Sequence, residues 1–231
     1  MINDQAQSTS EIEKRATHAE NGSAPSLPVT PRGEATRRRI LDAAENVFGE
    51  VGYYKASISE ITRRAGVAQG TFYIYFRSKH EIFVELVEDI GHRLRAQIRA
   101  DIQDAQNRLE IERRGFATFF EFASTHRRIY SIVQEAERVA PEAAQAYYRA
   151  ISQGYERGLR AAMEAGNIRK LDPEAIAYAL MGIGHFVALR WIIWPQEGEE
   201  MQTQPPQLPE EVYTAVMDFI EHGLAKPDEP T

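Results

Sequence analysis

Cysteine is absent from the 231-residue chain. Its absence excludes a disulfide framework and any thiolate metal site. The six histidines are scattered, and no two of them lie three or four residues apart. The helical spacing of a histidine metal site is therefore missing as well, and we expect neither a metal nor a cofactor.

Motifs of catalysis are also missing. The sequence contains no glycine-rich phosphate loop, no paired Glu-x-x-His and no nucleophile elbow. We expect a protein that is not an enzyme and has no catalytic residues, with an all-α enzyme as the less favoured alternative.

Targeting and membrane signals are sparse. The first residues, MINDQAQSTSEIEKR, lack the basic and apolar regions of a signal peptide, so a cytoplasmic location is expected. The segment from Ala175 to Trp194 is apolar enough to resemble a membrane span. His185 and Arg190 interrupt it, and it stands alone. We expect no membrane partner and interpret it as a helix buried on most sides in a bundle or a dimer.

Charge is unevenly distributed along a chain of net charge −7. Between Arg32 and Lys79, basic residues outnumber acidic ones by nine to five. This local excess of +4 leaves −11 for the remainder. Such an asymmetry can steer one end of a protein toward phosphate, although random scatter would also explain an excess of this size.

Helical periodicity runs through the sequence after residue 31, without sustained strand alternation. The first predicted helix, about 34–51, carries an apolar stripe, and Gly52 fits a left-handed stop. Ser57 with Glu60 predicts an N-terminal cap. The same spacing of Ser78 and Glu81 predicts the start of a long fourth helix. Five more helices are expected near 108–124, 127–137, 141–165, 172–194 and 209–224.

A very short third helix, about 69–75, follows a tight turn at Gly66 and contains four rings. Phe72 and Phe76 are four residues apart and share one face, which we expect to pack inward. Tyr73 and Tyr75 then point elsewhere. A short helix after such a turn is typical of a helix-turn-helix, whose second helix enters the major groove. The alternative is that the tyrosines are surface rings of an ordinary bundle.

The outward residues of this helix suit DNA. A glutamine such as Gln69 can bond both N6 and N7 of adenine, and the methyl group of Thr71 can touch that of thymine. Tyrosine hydroxyls can reach phosphate oxygens, and Gly70 lets the backbone approach closely.

The run TRRRILDAAENVFGEVGYYKASISEITRRAGVAQGTFYIYFRSKHEIFVELVE resembles the N-terminal domain of TetR-type transcriptional repressors. The match covers about a fifth of the chain. It implies an all-α fold with a three-helix DNA-binding head and a larger helical bundle that binds a ligand and dimerises. Together with composition it suggests four parts: a disordered arm (1–31), a helix-turn-helix domain (32–78), a ligand-binding and dimerisation domain (79–225) and a frayed tail (226–231).

The resemblance also implies which residues contact DNA, with Gly70 added for backbone approach. The predicted set is Thr36, Arg37, Ser57, Ser59, Gln69, Gly70, Thr71, Tyr73, Tyr75 and Lys79. One departure is Ala68, where relatives often carry a serine or threonine cap, so we expect the third helix to be capped less well.

The body is rich in rings, which could line a cavity for an apolar ligand or simply fill the core. His126 and His185 are embedded in apolar surroundings. Each could orient a ligand carbonyl or carboxylate, or be satisfied inside the bundle or across a dimer interface. The candidate ligand residues are Phe119, Phe122, His126, Tyr130, Tyr148, Tyr155, Tyr178, Met181, His185 and Trp191.

These patterns predict a ligand-responsive transcriptional regulator, in the first place a repressor. It would bind a palindromic double-stranded DNA operator as a homodimer and be released by a small apolar, aromatic or acyl ligand. The resemblance places helices 172–194 and 209–224 in the dimer interface. Gly182, Gly184 and Ala188 would permit close helix approach there, although packing in a bundle alone would also use such small residues. The alternative of the same fold is a ligand-binding module without DNA binding.

Overall fold

The computed structural model describes residues 30–194 and 206–226. The predicted arm, apart from its last two residues, and residues 227–231 of the predicted tail lie outside the described residues. Regular secondary structure within the described ranges is entirely helical, which confirms the all-α prediction. The nine helices found there are α1 (Pro31–Lys55), α2 (Ile58–Ala65), α3 (Gln69–Tyr75), α4 (Lys79–Ile102), α5 (Arg108–Thr125), α6 (Arg127–Val139), α7 (Pro141–Glu164), α8 (Pro173–Ile193) and α9 (Glu210–Leu224). The last five residues of α8 form a π-helical turn, Leu189–Ile193.

The first helix is longer than predicted at both ends. The Thr30 side chain accepts a hydrogen bond from the Gly33 amide at 3.2 Å, and Pro31 occupies the first turn. Such a cap and a proline with preset φ favour a start at this point. Gly52 has a φ of 75°, so it interrupts α1 where a stop was predicted, but one further turn continues to Lys55.

The caps of the head follow the sequence pattern. Ser57 Oγ accepts from the Glu60 amide, and Ser78 Oγ accepts from the Glu81 amide, both at 3.1 Å. Gly66 closes α2 with a left-handed φ of 64°. No side-chain hydrogen bond caps α3 at Ala68, as expected from the missing hydroxyl.

Two apolar cores organise the chain. The first joins the head to α4, α6 and α7, and it completely buries Phe72 and Phe76. This confirms the prediction that these two rings pack inward. The second core lies in the body among α5, α7, α8 and α9, around Phe116, Leu159 and Met217.

A buried ion pair within α5 packs against α7 in the body. Arg108 and Glu112 are bonded to each other one turn apart and are only 6% and 1% exposed. The guanidinium lies 5.6 Å from the centre of the Tyr155 ring. A Cβ at Gly158 would stand 2.4 Å from Arg108 Nη1, so the missing side chain makes room for the arginine. Burial raises the pKa of the Glu112 carboxyl.

Helix α8 is largely apolar, yet only one of its faces is buried. By length and composition Pro173–Ile193 could cross a membrane, with a mean hydropathy of 1.6, and one third of it is buried. Ala177, Ala188 and Ile192 are completely buried, whereas Tyr178 and Phe186 are 47% and 67% exposed. The predicted burial therefore holds for one face of the isolated chain, and the other face is open.

Candidate nucleic-acid interface and ligand cavity

Helix α3 presents a distinct outward face. Gln69 and Gly70 are exposed, and Tyr73 is 50% exposed. Thr71 and Tyr75 are half-buried at the flanks. Five of the predicted DNA contacts thus lie together on the outer side and flanks of one helix that is anchored from behind by two buried rings.

One prominent outward residue was missed. Ile74 is 60% exposed, yet the predicted contact set passes over it. The signal was available, because residue 74 falls opposite Phe72 and Phe76 when residues are spaced at about 100° around a helix.

Two predicted contacts on α1 differ in how they are held. Thr36 is half-buried, and its hydroxyl donates to the Arg32 carbonyl at 3.0 Å. Arg37 pairs with Glu85 of α4 and lies 5.2 Å from the centre of the Phe76 ring. The Arg37 guanidinium therefore already ties α1 to α4.

The two predicted serine contacts stand at the start of α2 and are exposed. Ser57 Oγ serves as the helix cap by accepting a hydrogen bond. Its hydroxyl proton is not used by that bond, so it can still donate to phosphate.

Lys79 helps to hold the head together. Its ammonium donates to the carbonyls of Tyr53 at 2.7 Å and Ala56 at 2.9 Å, and it lies 4.4 Å from the centre of the Tyr53 ring. Two of its three protons are thereby used on carbonyls at the end of α1. One proton remains for a phosphate.

Part of the local positive charge is neutralised inside the head. Arg63 and Arg64 point outward as predicted, but both donate to Glu60. Their hydrogen bonds, that of Arg63 first, lower the pKa of Glu60 to about 2. Arg64 also pairs with Glu50 at 2.7 Å. The positive surface is therefore weaker than the count of basic residues indicates.

Helix α6 makes close contacts with the end of α1 in the head. Glu135 Oε2 accepts from the Tyr53 amide at 2.7 Å, immediately after the positive φ of Gly52. Arg128 pairs with Glu50 at 3.1 Å, and a Cβ at Gly49 would lie 2.6 Å from Arg128 Cβ. Helices α1 and α6 thus pack so closely that position 49 requires glycine.

The opposite side of α6 borders an apolar cavity of about 80 Å³ in the body. Six predicted ligand residues line it: Phe119, Tyr130, Tyr148, Tyr155, Met181 and His185. Ten further lining residues were not predicted: Leu94, Ile98, Gly115, Phe116, Val133, Gln134, Tyr147, Ile151, Leu180 and Gly184. Helices α4 and α6 therefore each touch both this cavity and the head.

Four predicted ligand residues lie elsewhere. Phe122 is buried in the first core. Its ring stacks on that of His126, with the ring centres 4.6 Å apart. His126 is at the junction of α5 and α6, where its Nδ1 is 3.1 Å from the Phe122 carbonyl. Tyr178 points outward from α8, and Trp191 lines a groove beside α9. The local sequence made these rings candidates for the cavity wall. It could not show which neighbouring helix each side chain would contact.

The polar groups around the cavity are bonded to one another. The Tyr130 hydroxyl is 2.6 Å from His185 Nδ1 and donates to the His185 carbonyl at 3.2 Å. His185 is therefore satisfied inside the bundle, one of the two outcomes expected for it. Burial lowers the pKa of His185 and raises that of Tyr130, so both groups are neutral near pH 7.

Two more tyrosines of the wall also face protein partners. The Tyr148 hydroxyl donates to Glu137 at 2.9 Å, and Glu112 accepts a hydrogen bond from Tyr155. Burial raises the pKa of Tyr147 to about 12. The cavity consequently offers mostly ring faces and aliphatic groups, which suit an apolar guest.

A second apolar surface lies between α8 and α9. Ile183 and Trp191 from α8 face Val216 and Phe219 of α9 in a shallow groove, and Phe219 is 70% exposed. Gly182 borders open space, because a Cβ there would meet no atom within 4 Å.

Gly184 and Ala188 do not share this surface, which agrees with the alternative that such small residues serve packing within the bundle. Gly184 is buried, and its Cβ would lie 3.4 Å from the rings of Phe116 and Phe119. Ala188 is completely buried. Gly184 therefore admits α5 against α8, and of the three small residues only Gly182 borders the open face.

Acidic and histidine side chains do not gather into a metal site in the part of the chain that the structure describes. No group of three or more of them is arranged to hold an ion there.

Comparison with known proteins identifies relatives of this chain. The profile of the family "Bacterial regulatory proteins, tetR family" matches residues 40–86, which extend from α1 into α4. The uncharacterized HTH-type transcriptional regulator YdgC of Bacillus subtilis is 31% identical over 157 residues, 66% of this chain and 78% of that protein.

Solved structures share the fold over most of the chain. The fatty acid degradation regulator FadR from Bacillus halodurans has a TM-score of 0.67 at 22% identity, covering 80% of this chain and 94% of that one. FadR from Bacillus subtilis, solved in complex with stearoyl-CoA, also has a TM-score of 0.67, at 21% identity and with coverage of 79% and 96%. At sequence identities of 22% and 21%, these similarities show a shared fold only.

Proposed function

Since the chain belongs to the tetR family of bacterial regulatory proteins, we propose that it is a cytoplasmic, ligand-responsive repressor. It binds a palindromic operator as a homodimer, and a small apolar ligand releases it. Its relatives are transcriptional regulators, and the proposal includes no enzymatic activity, metal or membrane. The observation that carries it is the outward face of α3, fixed by two buried rings.

Sequence-specific binding is assigned to that face. Gln69 is exposed beside Tyr73, where its amide can reach base edges while the tyrosine hydroxyl reaches phosphate. Losing one good base contact weakens discrimination by about 1–3 kcal/mol, whereas losing a phosphate contact weakens binding to all sequences alike.

The test is a gel-shift titration of selected and random duplexes at several salt concentrations. Gln69→Ala is expected to lose affinity mainly for the selected duplex, and Tyr73→Phe, which removes the hydroxyl assigned to phosphate, is expected to lose it for both. Equal losses on both duplexes for Gln69→Ala would remove Gln69 from the readout set. Absence of any preferred duplex would favour the ligand-binding module without DNA binding.

Dimerisation is assigned to the open faces of α8 and α9. Supporting it are the exposed rings of Tyr178, Phe186 and Phe219 on these two helices, since exposed apolar patches mark protein–protein interfaces. Gly182→Arg would place a charge on this face without disturbing the core, since its Cβ meets nothing. Sedimentation is expected to show a dimer for the unmodified protein and a monomer for this variant. A stable monomer of the unmodified protein at micromolar concentration would refute the interface.

The ligand is assigned to the cavity beside α6 and carries an acyl chain or an aromatic ring. The walls of the cavity are apolar. The structure of FadR from Bacillus subtilis, which shares this fold, contains stearoyl-CoA. The cavity volume of about 80 Å³ is below the roughly 300–1,000 Å³ of typical ligand pockets. An acyl ligand must therefore displace wall side chains, which provides a difference in affinity between two conformations.

Release from DNA follows from that displacement. Recognition helices of a dimer must sit about 34–36 Å apart to read two half-sites. Helices α4 and α6 contact both cavity and head, so moving their cavity faces changes the head position. Coupling of about 1–3 kcal/mol would be ordinary and must be reciprocal. Acyl-CoA titrations with and without operator test this, and equal affinity in both would exclude the titrated compound as the effector.

A further inference from the structure

An apolar side chain, Ile74, occupies the centre of the outward face of α3. The polar DNA contacts proposed above do not explain why an apolar residue is exposed there. Ile74 lies about 200° around the helix from Phe72 and about 160° from Phe76, given a rotation of about 100° per residue. It therefore stands opposite the two completely buried rings and is 60% exposed. A large aliphatic side chain at the most outward position of a helix gains nothing from burial within this chain.

Gly70 lies one turn before Ile74 on the same face. It is not among the glycines with positive φ in the described residues, and a Cβ built on it would meet no atom within 4 Å. Neither backbone conformation nor packing within the chain requires glycine here, although glycine weakens a helix relative to alanine. The space above Gly70 is therefore open to a molecule that approaches from outside.

We propose that Ile74 is a specificity-determining residue that contacts the C5 methyl group of a thymine, with Gly70 providing room for the base edge. The inference rests on the proposed function and names a contact of the same site. Thymine alone among the four bases presents a methyl group in the major groove. Isoleucine has no hydrogen-bonding group, so it favours this methyl group and leaves the polar edges of other bases unsatisfied.

Replacing thymine by deoxyuridine removes only that methyl group, and it provides a direct test. A duplex is first selected from random sequence with the full-length protein. Each dT of the selected duplex is then replaced singly by dU, and affinities are measured by fluorescence anisotropy at constant salt. The proteins compared are the unmodified chain, Ile74→Ala and Val51→Ala, the last altering an exposed apolar residue of the head outside α3.

We expect one thymine per half-site at which dU weakens binding of the unmodified protein about fourfold, the effect of one buried methyl group. Val51→Ala should retain this loss, and Ile74→Ala should abolish it. Losses that are the same for Ile74→Ala and the unmodified protein at every thymine would overturn the proposal. Failure to select any preferred duplex would overturn the proposed function, and this inference with it.

Gly70→Ala provides a second measurement. The added methyl group meets nothing within the chain, so the melting temperature should not fall. Binding of the selected duplex should nevertheless weaken, and more than binding of random duplex. Unchanged affinity of this variant for the selected duplex would contradict the close approach that the proposal requires.

Discussion

Replacement of Glu135 by alanine tests whether the body holds the head through one hydrogen bond. Glu135 Oε2 accepts from the Tyr53 amide at 2.7 Å, while Lys79 holds the Tyr53 carbonyl. The Tyr53 backbone is thus held at both its amide and its carbonyl, directly after the left-handed Gly52. Removing the carboxylate leaves the amide without its acceptor and the last turn of α1 without its contact to α6.

A hydrogen bond to a charged group contributes about 1.5–3 kcal/mol. Tyr53 is half-buried, so water can replace part of that interaction, and we expect a loss at the lower end of this range. A loss of about 1.4 kcal/mol corresponds to a factor of ten. Hydrogen exchange of the Tyr53 amide should therefore be about tenfold faster in Glu135→Ala if local opening of this turn governs its exchange.

Two further variants make the measurement specific. Glu135→Gln keeps an amide oxygen as acceptor and should show a smaller acceleration. Glu137→Ala removes a carboxylate from the same helix, but its partner is Tyr148 in the body, so exchange in the head should not change. Identical Tyr53 exchange in Glu135→Ala and the unmodified protein would refute the reasoning, and α4 would then be the remaining connection to the cavity.

Three other predictions concern stability. Glu112→Ala should destabilise the fold by about 3–5 kcal/mol, because it leaves Arg108 buried and unpaired; a loss below 1 kcal/mol in urea unfolding would contradict this. Since burial lowers the pKa of His185, the unfolded state binds its proton more readily. Stability should therefore fall as the pH drops below the ordinary value of about 6.5, and His185→Gln should show a shallower dependence of melting temperature between pH 5 and 7. Gly49→Ala should cost about 1–3 kcal/mol through overpacking against Arg128, and an unchanged melting temperature would show that α1 and α6 separate freely.

Much of the head could be predicted from sequence because its determinants are local. Caps such as Ser57 with Glu60 lie within one turn, and the stop at Gly66 depends on a single residue's φ. The division of α3 into inward phenylalanines and outward polar residues follows from helical periodicity alone. Even there, the predicted contact set contained only polar residues, glycine and tyrosines and omitted Ile74. The same periodicity indicates that Ile74 is exposed.

The body resisted prediction because its determinants are contacts between distant residues. Tyr130 and His185 are 55 residues apart, and nothing in their local sequence indicates that they bond to each other. Tyr178 and Trp191 are aromatic like the residues of the cavity wall, yet Tyr178 is exposed and Trp191 lines the groove beside α9, because α5 and α7 pack against the other side of α8.

The amino-acid sequence by itself determined the nine helices of the described ranges, the serine caps of α2 and α4 and the rings that anchor α3, since each depends on residues within four positions of one another. Only the tertiary structure decided that Gly184 admits α5 while Gly182 borders open space, that Lys79 holds the end of α1, and that α6 lies between head and cavity. Those outcomes depend on how whole helices pack, and one helical turn presents several faces that are equally apolar until a neighbour covers one of them.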